Sequence, residues 1–449
     1  LKKINSLLMK RYLFFLVLPG LMNAQNSFTL KEAVDYAYTH NASVLNAELE
    51  QKMNKAKQNE IIGIGLPQVS GSFDIKDYLD IPTSLLPGQF FQAPPGTYIP
   101  VKFGVQYNAT AGINISQIIF NSDYLVAIQA SSELTALSQK NTQRSRIETN
   151  IAVSKAYYNA LINRERLTLL DASLARVKKL FDDTKVLHAN GFVEQIDIDR
   201  IEVAYNNLLS EREKVAKLIG ISESLLKFQM GYDVTQSIEL KDKLDLTTIP
   251  ASEPETGQKP DYNSRIEYSL LQSQKRLNQL EKKRYQLSYL PSLFAYGSFN
   301  KNAQRDEFDV FDFSTGHDWY PISIIGVTLS VPIFSGGQKY YKLQQSKLSM
   351  MMTENNIRHF ENAIQLEVSA AVVNYNNSIS SLSIQKRNLE LAQGVFEVAK
   401  KKYEQGVGSN LEVINAQSSL KESQTNYFNA IFEHYNAKLD MDKAKGTIK

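Results

Sequence analysis

Two carboxylates, Asp197 and Glu412, lie 215 residues apart, each a few residues behind a glycine-marked break in a long run free of proline. Acid in a first helical turn is favourable because the amide N–H groups there carry partial positive charge. A solvated capping role is therefore one reading of both. What singles them out is their equivalent place in the chain, each in the first turn expected after a break. No constellation suited to catalysis accompanies them. His40, His188, His317, His359 and His434 are scattered without metal-ligand spacing. The chain has no cysteine, which removes disulfides, zinc–thiolate sites, a cysteine nucleophile and a lipidated N-terminal cysteine. Met350, Met351 and Met352 offer thioethers of the kind that suit Cu(I), but packing in a long helix is the simpler role. Gly336-Gly337 is not followed by the Lys-Ser/Thr of a phosphate loop and reads as a bend. A net charge of +3 gives no electrostatic case for nucleic acid.

The elements that position these residues are long. Asn121 to Asn190 contains neither proline nor glycine, and seventy helical residues would make a rod of roughly 100 Å. Leu167, Leu170, Leu174, Val177 and Phe181 form a coiled-coil seam. Ile384, Asn388, Leu391, Val395 and Val398 fall on Leu170, Leu174, Val177, Phe181 and Thr184 after a shift of 214 residues. A duplication is expected, each copy with one very long helix. Gly191 breaks the first. A return helix from Asp197 to Phe228 follows, with Ile198, Ile201, Tyr205, Leu208, Arg212 and Val215 as its seam. Gly406-Val407-Gly408 breaks the second. A last helix from Leu411 to Lys443 then carries Val413, Ala416, Leu420, Ser423, Tyr427 and Ala430. Gly191 and Gly408 are expected to take positive φ in the two turns.

Period-two stretches precede each long helix. Val69 to Lys76 and Phe103 to Ser116 alternate apolar with small polar residues around a proline-rich loop, Asp80 to Pro100. Leu293 to Asn300 and Ile322 to Ile333 do the same around an acidic loop with Asp306, Glu307, Asp309, Asp312 and Asp318. A helix is expected before each hairpin, Phe28 to Ile62 and Tyr262 to Tyr289, ended by Leu66-Pro67 and Leu290-Pro291. The organisation expected is a signal peptide at 1–24, with Lys2, Lys3, Lys10 and Arg11 before a short apolar run. A first repeat takes 25–259: helix, hairpin 66–120, helical hairpin 121–228 and connector. A second takes 260–449: helix, hairpin 290–334, helical hairpin 336–443 and tail.

Alternation over roughly ten residues is the pattern of a membrane β-barrel wall. Four strands cannot close a barrel, and unpaired edges are prohibitively costly in lipid. Two chains would give eight strands and a filled interior. Three would give twelve and a lumen, which the small polar residues suit. The fold expected is mainly α with membrane β: a trimeric 12-stranded barrel, four strands per chain, continued by a long α-helical coiled-coil barrel. The competing readings are an exported coiled-coil scaffold, which has no need of strand alternation, and an enzyme, for which no site is visible.

In this order of elements the chain resembles the TolC-type outer-membrane efflux channel family from Phe28 to about Lys443. The likeness rests on the Leu-Pro joints, on IIFNS (Ile118 to Ser122) and PIFSGG (Pro332 to Gly337), and on the two turns. Gly406-Val407-Gly408-Ser409 and the stretch Leu411 to Gln417 are similar to the family's VGT-type turn and the "DVLDA" behind it. The resemblance implies a homotrimeric exit duct in the bacterial outer membrane with a periplasmic helical domain and no cofactor. Its partners would be outer-membrane lipids, a periplasmic adaptor and an inner-membrane pump of the RND or ABC type. An outer-membrane channel of type I protein secretion is the alternative within the same fold. Asp197, Glu412 and Asn415 match the family's periplasmic gate and constriction. Gly191, Phe192, Val193, Gly406, Val407, Gly408, Ser409 and Leu411 match the tips that dock an adaptor. The family's tyrosine and arginine gate partners correspond to Gln405 and Asn410, and one constriction carboxylate is replaced by Asn415.

Overall fold

A computed structural model describes residues 26–244 and 260–448. The expected signal peptide and most of the expected connector lie outside the described residues. In chain order the elements are β1 (Asn26–Phe28), α1 (Leu30–His40), α2 (Ala42–Ile64), β2 (Gln68–Asp77), β3 (Thr83–Pro87), β4 (Tyr98–Lys102), β5 (Tyr107–Phe120) and α3 (Ser122–Ala189). They continue with α4 (Gln195–Met230), β6 (Ile238–Leu240), α5 (Ile266–Leu287), β7 (Ser292–Arg305), β8 (Tyr320–Ser330), α6 (Gln338–Glu404) and α7 (Asn410–Lys445). The molecule is mainly helical with four long strands. The helices α3 and α6 have 68 and 67 residues, and α4 and α7 have 36 each. Among the described residues the chain divides into two compact units, each drawn from both halves of the sequence: 26–41, 149–244 and 381–435 in one, 42–148, 260–380 and 436–448 in the other.

In the first unit, α1 starts at a reciprocal cap. The Thr29 side chain accepts from the Glu32 amide, and the Glu32 carboxylate accepts from the Thr29 amide. Helix α1 does not run on to Ile62 as its periodicity suggested. Asn41 is extended, and its Nδ2 donates to the Gln229 carbonyl at 2.8 Å. Beside it Gly231, at φ +71°, caps α4 where a Cβ would stand 2.4 Å from the His40 carbonyl oxygen. This close crossing interrupts the helix, and no pattern local to α1 signals it. Strand β1 pairs in parallel with β6, a contact 212 residues long in sequence (Asn26 with Ile238). The fully buried Tyr157 shares its hydroxyl proton between the Phe28 carbonyl (3.0 Å) and the Asp242 carboxylate (2.8 Å). Burial and that carboxylate push its phenol well above the ordinary range.

The seam expected in α3 packs as expected. Leu170, Val177 and Phe181 are buried with Ile198, Ile201, Leu208 and Val215 of α4 and Val413, Ala416 and Leu420 of α7. The seam expected in α6 does not. Phe396 and Ala399 enter this core, with Leu389, Ala392 and Tyr403 packed against it. Ile384, Leu391, Val395 and Val398 are each more than half exposed. Helix α6 thus carries two apolar stripes, and the matching residues picked out by the repeat lie on the outer one.

In the second unit, β2, β5, β7 and β8 form one antiparallel sheet in that order. Register across it separates two faces. The row Val69, Ile115, Gly297 and Ile325 is apolar, and the next row is Ser70, Asn114, Ser298 and Ile324. On the polar face Asn114 donates to Ser72 at 3.3 Å, and Asn302 donates to Asn108 (2.7 Å) and Thr110 (3.0 Å). Gly112 makes room there, since a Cβ would lie 1.8 Å from Asn300 Oδ1. The proline-rich loop contains a small hairpin of its own, β3 with β4, that its composition did not announce. The expected second strand starts at Tyr107 rather than Phe103. Helices α6 and α7 pack through Ile364, Val368, Val372 and Tyr375 against Met441 and Ala444. Gly336 and Gly337, at φ +58° and +78°, form the bend into α6.

Candidate functional site: helix tips and the groove behind them

The two turns of the first unit are built alike. Gly191 and Gly406 have φ of +76° and +73°. The Gly191 amide donates to the His188 carbonyl and the Phe192 amide to Leu187. In the other turn Gly406 donates to Tyr403 and Val407 to Lys402. This is the left-handed helix cap in which glycine avoids the Cβ penalty. The residue in the left-handed region is therefore Gly406, the counterpart of Gly191, and not Gly408. Gly408 is required for another reason: a Cβ there would meet Lys402 Cβ at 2.8 Å and the Lys402 carbonyl carbon at 3.1 Å. Both caps leave the next side chain outside the core, with Phe192 77% and Val407 75% exposed. Leu411 is exposed too, whereas Val193 is half-buried.

Behind the turns the predicted polar residues separate into two places. Asp197 sits in the first turn of α4, where its carboxylate accepts from the Glu194 amide at 3.4 Å and lies 3.8 Å from Arg200. Asn410 donates to the Asp197 carbonyl at 2.7 Å and to its carboxylate at 3.3 Å. Asn410 is only 4% exposed, and its Oδ1 is buried without a partner among the described residues. Glu412 and Asn415 are not part of this joint. Both are exposed and line a groove of about 760 Å³ between α6 and α7, together with Leu391, Val395, Val398 and Lys402. Ser409 caps α7, its hydroxyl accepting from the Glu412 amide at 3.2 Å.

Sequence reasoning missed the contact Thr184 makes with Tyr403. Their hydroxyls are 3.1 Å apart, and Thr184 is fully buried. A tyrosine does stand near the second turn, two residues before the position assigned to the family's gate tyrosine. The repeat could have found it, because Tyr403 takes the place of His188. It also missed Asn410 as a binding partner of Asp197, for which a buried asparagine at a helix start is only a weak signal.

Comparison with known proteins places this arrangement. The family model for outer membrane efflux proteins matches residues 267–447. The chain is 20% identical to the outer membrane protein TolC of Vibrio cholerae over 352 residues, 76% of this chain and 77% of that one. It is 21% identical to the probable efflux pump outer membrane protein TtgC of Pseudomonas putida over 355 residues, 76% and 69% of the two chains. The Campylobacter jejuni CmeC outer membrane channel superposes with a TM-score of 0.73 at 15% identity, over 94% of this chain and 86% of that one. The sheet order, the paired helical hairpins and these likenesses show that the chain has the fold of the outer-membrane efflux channels and that its residues 267–447 match the outer membrane efflux protein family.

Proposed function

We propose that the chain is the outer-membrane exit duct of a tripartite efflux system and works as a homotrimer. The observation that carries this reading is the sheet. It has two open edges, β2 and β8, one apolar face and one polar face. Open edges are not tolerated in lipid, so each β8 would pair with the β2 of a neighbouring copy. Three copies give twelve strands whose asparagine-lined faces turn to a lumen. The outer stripe of α6, Ile384, Leu391, Val395 and Val398, supports the same assembly, since adjoining copies would cover it.

The two halves are read as a tandem duplication. The starts of α4 and α7, their ends and the two left-handed glycines are all displaced by the same 215 residues. Six matched turns in a trimer would present Phe192, Val407 and Leu411 to a periplasmic adaptor that joins the duct to an inner-membrane pump. Glu412 and Asn415 would line the constriction, while Asp197 would brace the start of α4 through Asn410. Small molecules would pass passively, which requires no catalytic group.

The test is mass and export together. Detergent-extracted protein is expected to measure as three copies and to conduct ions in a planar bilayer. Deleting the gene is expected to make cells accumulate small amphiphilic compounds. A conducting monomer would overturn the shared barrel, and unchanged accumulation would overturn the efflux role.

A further inference from the structure

We propose that the loop between β7 and β8 builds a site for an anionic membrane lipid on the apolar face of the sheet. Val310 of this loop is fully buried on Ala109 of β5 and Ala303 of β7. The aromatic residues around it close over the same face: Phe308 lies 5.4 Å from Tyr107, and Phe311 lies 6.1 Å from Phe73, between ring centroids. The space left beneath is a cavity of about 570 Å³ bounded by Phe73, Phe299, Phe311, Phe313, Trp319 and Lys301. Its walls are mostly hydrocarbon, and it opens on the side of the sheet that alternation makes apolar.

Two polar groups at this cavity are unspent. Trp319 Nε1 is buried and donates to nothing among the described residues. A buried donor without an acceptor is costly, so such groups ordinarily serve a partner. The Lys301 ammonium forms no ion pair among the described residues, although acidic residues are abundant in the loop. Two of those acids are engaged elsewhere: Asp309 with Arg305 (3.3 Å) and His317 (2.7 Å), and Asp312 with the Ser314 amide (2.9 Å). An apolar cavity with a free cation and a free N–H at its wall fits an acyl chain whose headgroup carries a phosphate. The amine supplies charge and the indole a hydrogen bond. The inference rests on the reading of this face as lipid-facing.

Trp319 is the single tryptophan of the chain, so its fluorescence reports the site directly. The trimer would be reconstituted in phosphatidylcholine bilayers holding a minor fraction of brominated phosphatidylglycerol or of brominated phosphatidylcholine. The expected result is quenching several-fold stronger with the anionic lipid, falling to equality in Lys301→Gln. Equal quenching by the two lipids in the native protein, or a preference that survives Lys301→Gln, would overturn the site and leave the lipid-facing wall standing. No quenching by either lipid would remove both the site and the lipid-facing reading.

Discussion

Asn410 donates its amide to Asp197 twice, at 2.7 Å to the carbonyl and 3.3 Å to the carboxylate, and so ties the first turns of α7 and α4 together. The bond is buried on the Asn410 side and half-open on the Asp197 side, with the Asp197 side chain 23% exposed. It lies within one chain. A carboxylate used this way positions a helix start and is not free to coordinate ions. Glu412, exposed in the groove, carries no such restraint.

Asn410→Ala is expected to cost about 1–2 kcal/mol, the value of a buried hydrogen-bond pair lost in part. It is also expected to raise the conductance of the closed duct, because α4 and α7 are no longer joined near the turns. Single-channel recording checks this. Conductance equal to that of the native protein would make the bond a local cap and place the closure elsewhere.

Ion selectivity should follow Glu412 more than Asp197. Glu412→Gln is expected to lower the cation preference in asymmetric KCl, and Asn415→Asp to raise it by adding a second carboxylate to the same groove. Asp197→Asn should change selectivity less than Glu412→Gln. Reversal potentials that respond most to Asp197 would reverse this assignment.

The two turns should separate folding from docking. Gly406→Ala forces an L-residue to φ near +73°, at about 1–2 kcal/mol. Phe192→Ser with Val407→Ser leaves both caps intact and removes exposed apolar surface. The double variant is expected to keep the trimer and lose crosslinking to the adaptor. Normal crosslinking would show that the turns are not the docking surface.

Alkaline pH should weaken the first unit. The Tyr158 phenol is pushed up to about 12 by burial, with neighbouring Tyr435 and Asp242 adding to it. The unfolded chain loses this proton from an ordinary value of about 10. Between those values the native state binds more protons than the unfolded state, so stability is full below pH 10 and declines as pH rises to 12. Near-ultraviolet circular dichroism of the detergent-solubilised protein is expected to show this decline. Tyr158→Phe should make it shallower, and an identical slope in the variant would assign the loss to other groups.

Sheet faces give a further check. Val327 lies on the face of the sheet that carries Ile325 and Ile115, and Thr328 on the face that carries Asn114 and Ser298. Val327→Lys is expected to cost about 2–4 kcal/mol in the membrane, as for a cation on a lipid-facing wall. Thr328→Lys should be tolerated and lower conductance to cations. Urea titration of folded protein in bilayers measures the first effect and bilayer recording the second.

The sequence by itself determined the elements. Seventy residues without proline or glycine can only be one long helix, and strict alternation in β2, β5, β7 and β8 assigns one side of each strand to an apolar medium. Glycine breaks located the turns, and equal spacing led to the expectation that the halves correspond. These signals are local, set by backbone freedom and by the period of 3.6 or 2. Only the tertiary structure decided what depends on a neighbour. It chose between the two stripes of α6, since Phe396 and Val395 are equally apolar and differ only in which one faces α3, α4 and α7. It stopped α1 at Asn41, because Gly231 lets the end of α4 approach His40 more closely than any other residue would. It also parted Asp197 from Glu412. Their matched places in the repeat gave them the same helical position, but a buried asparagine 213 residues away occupies one and solvent the other.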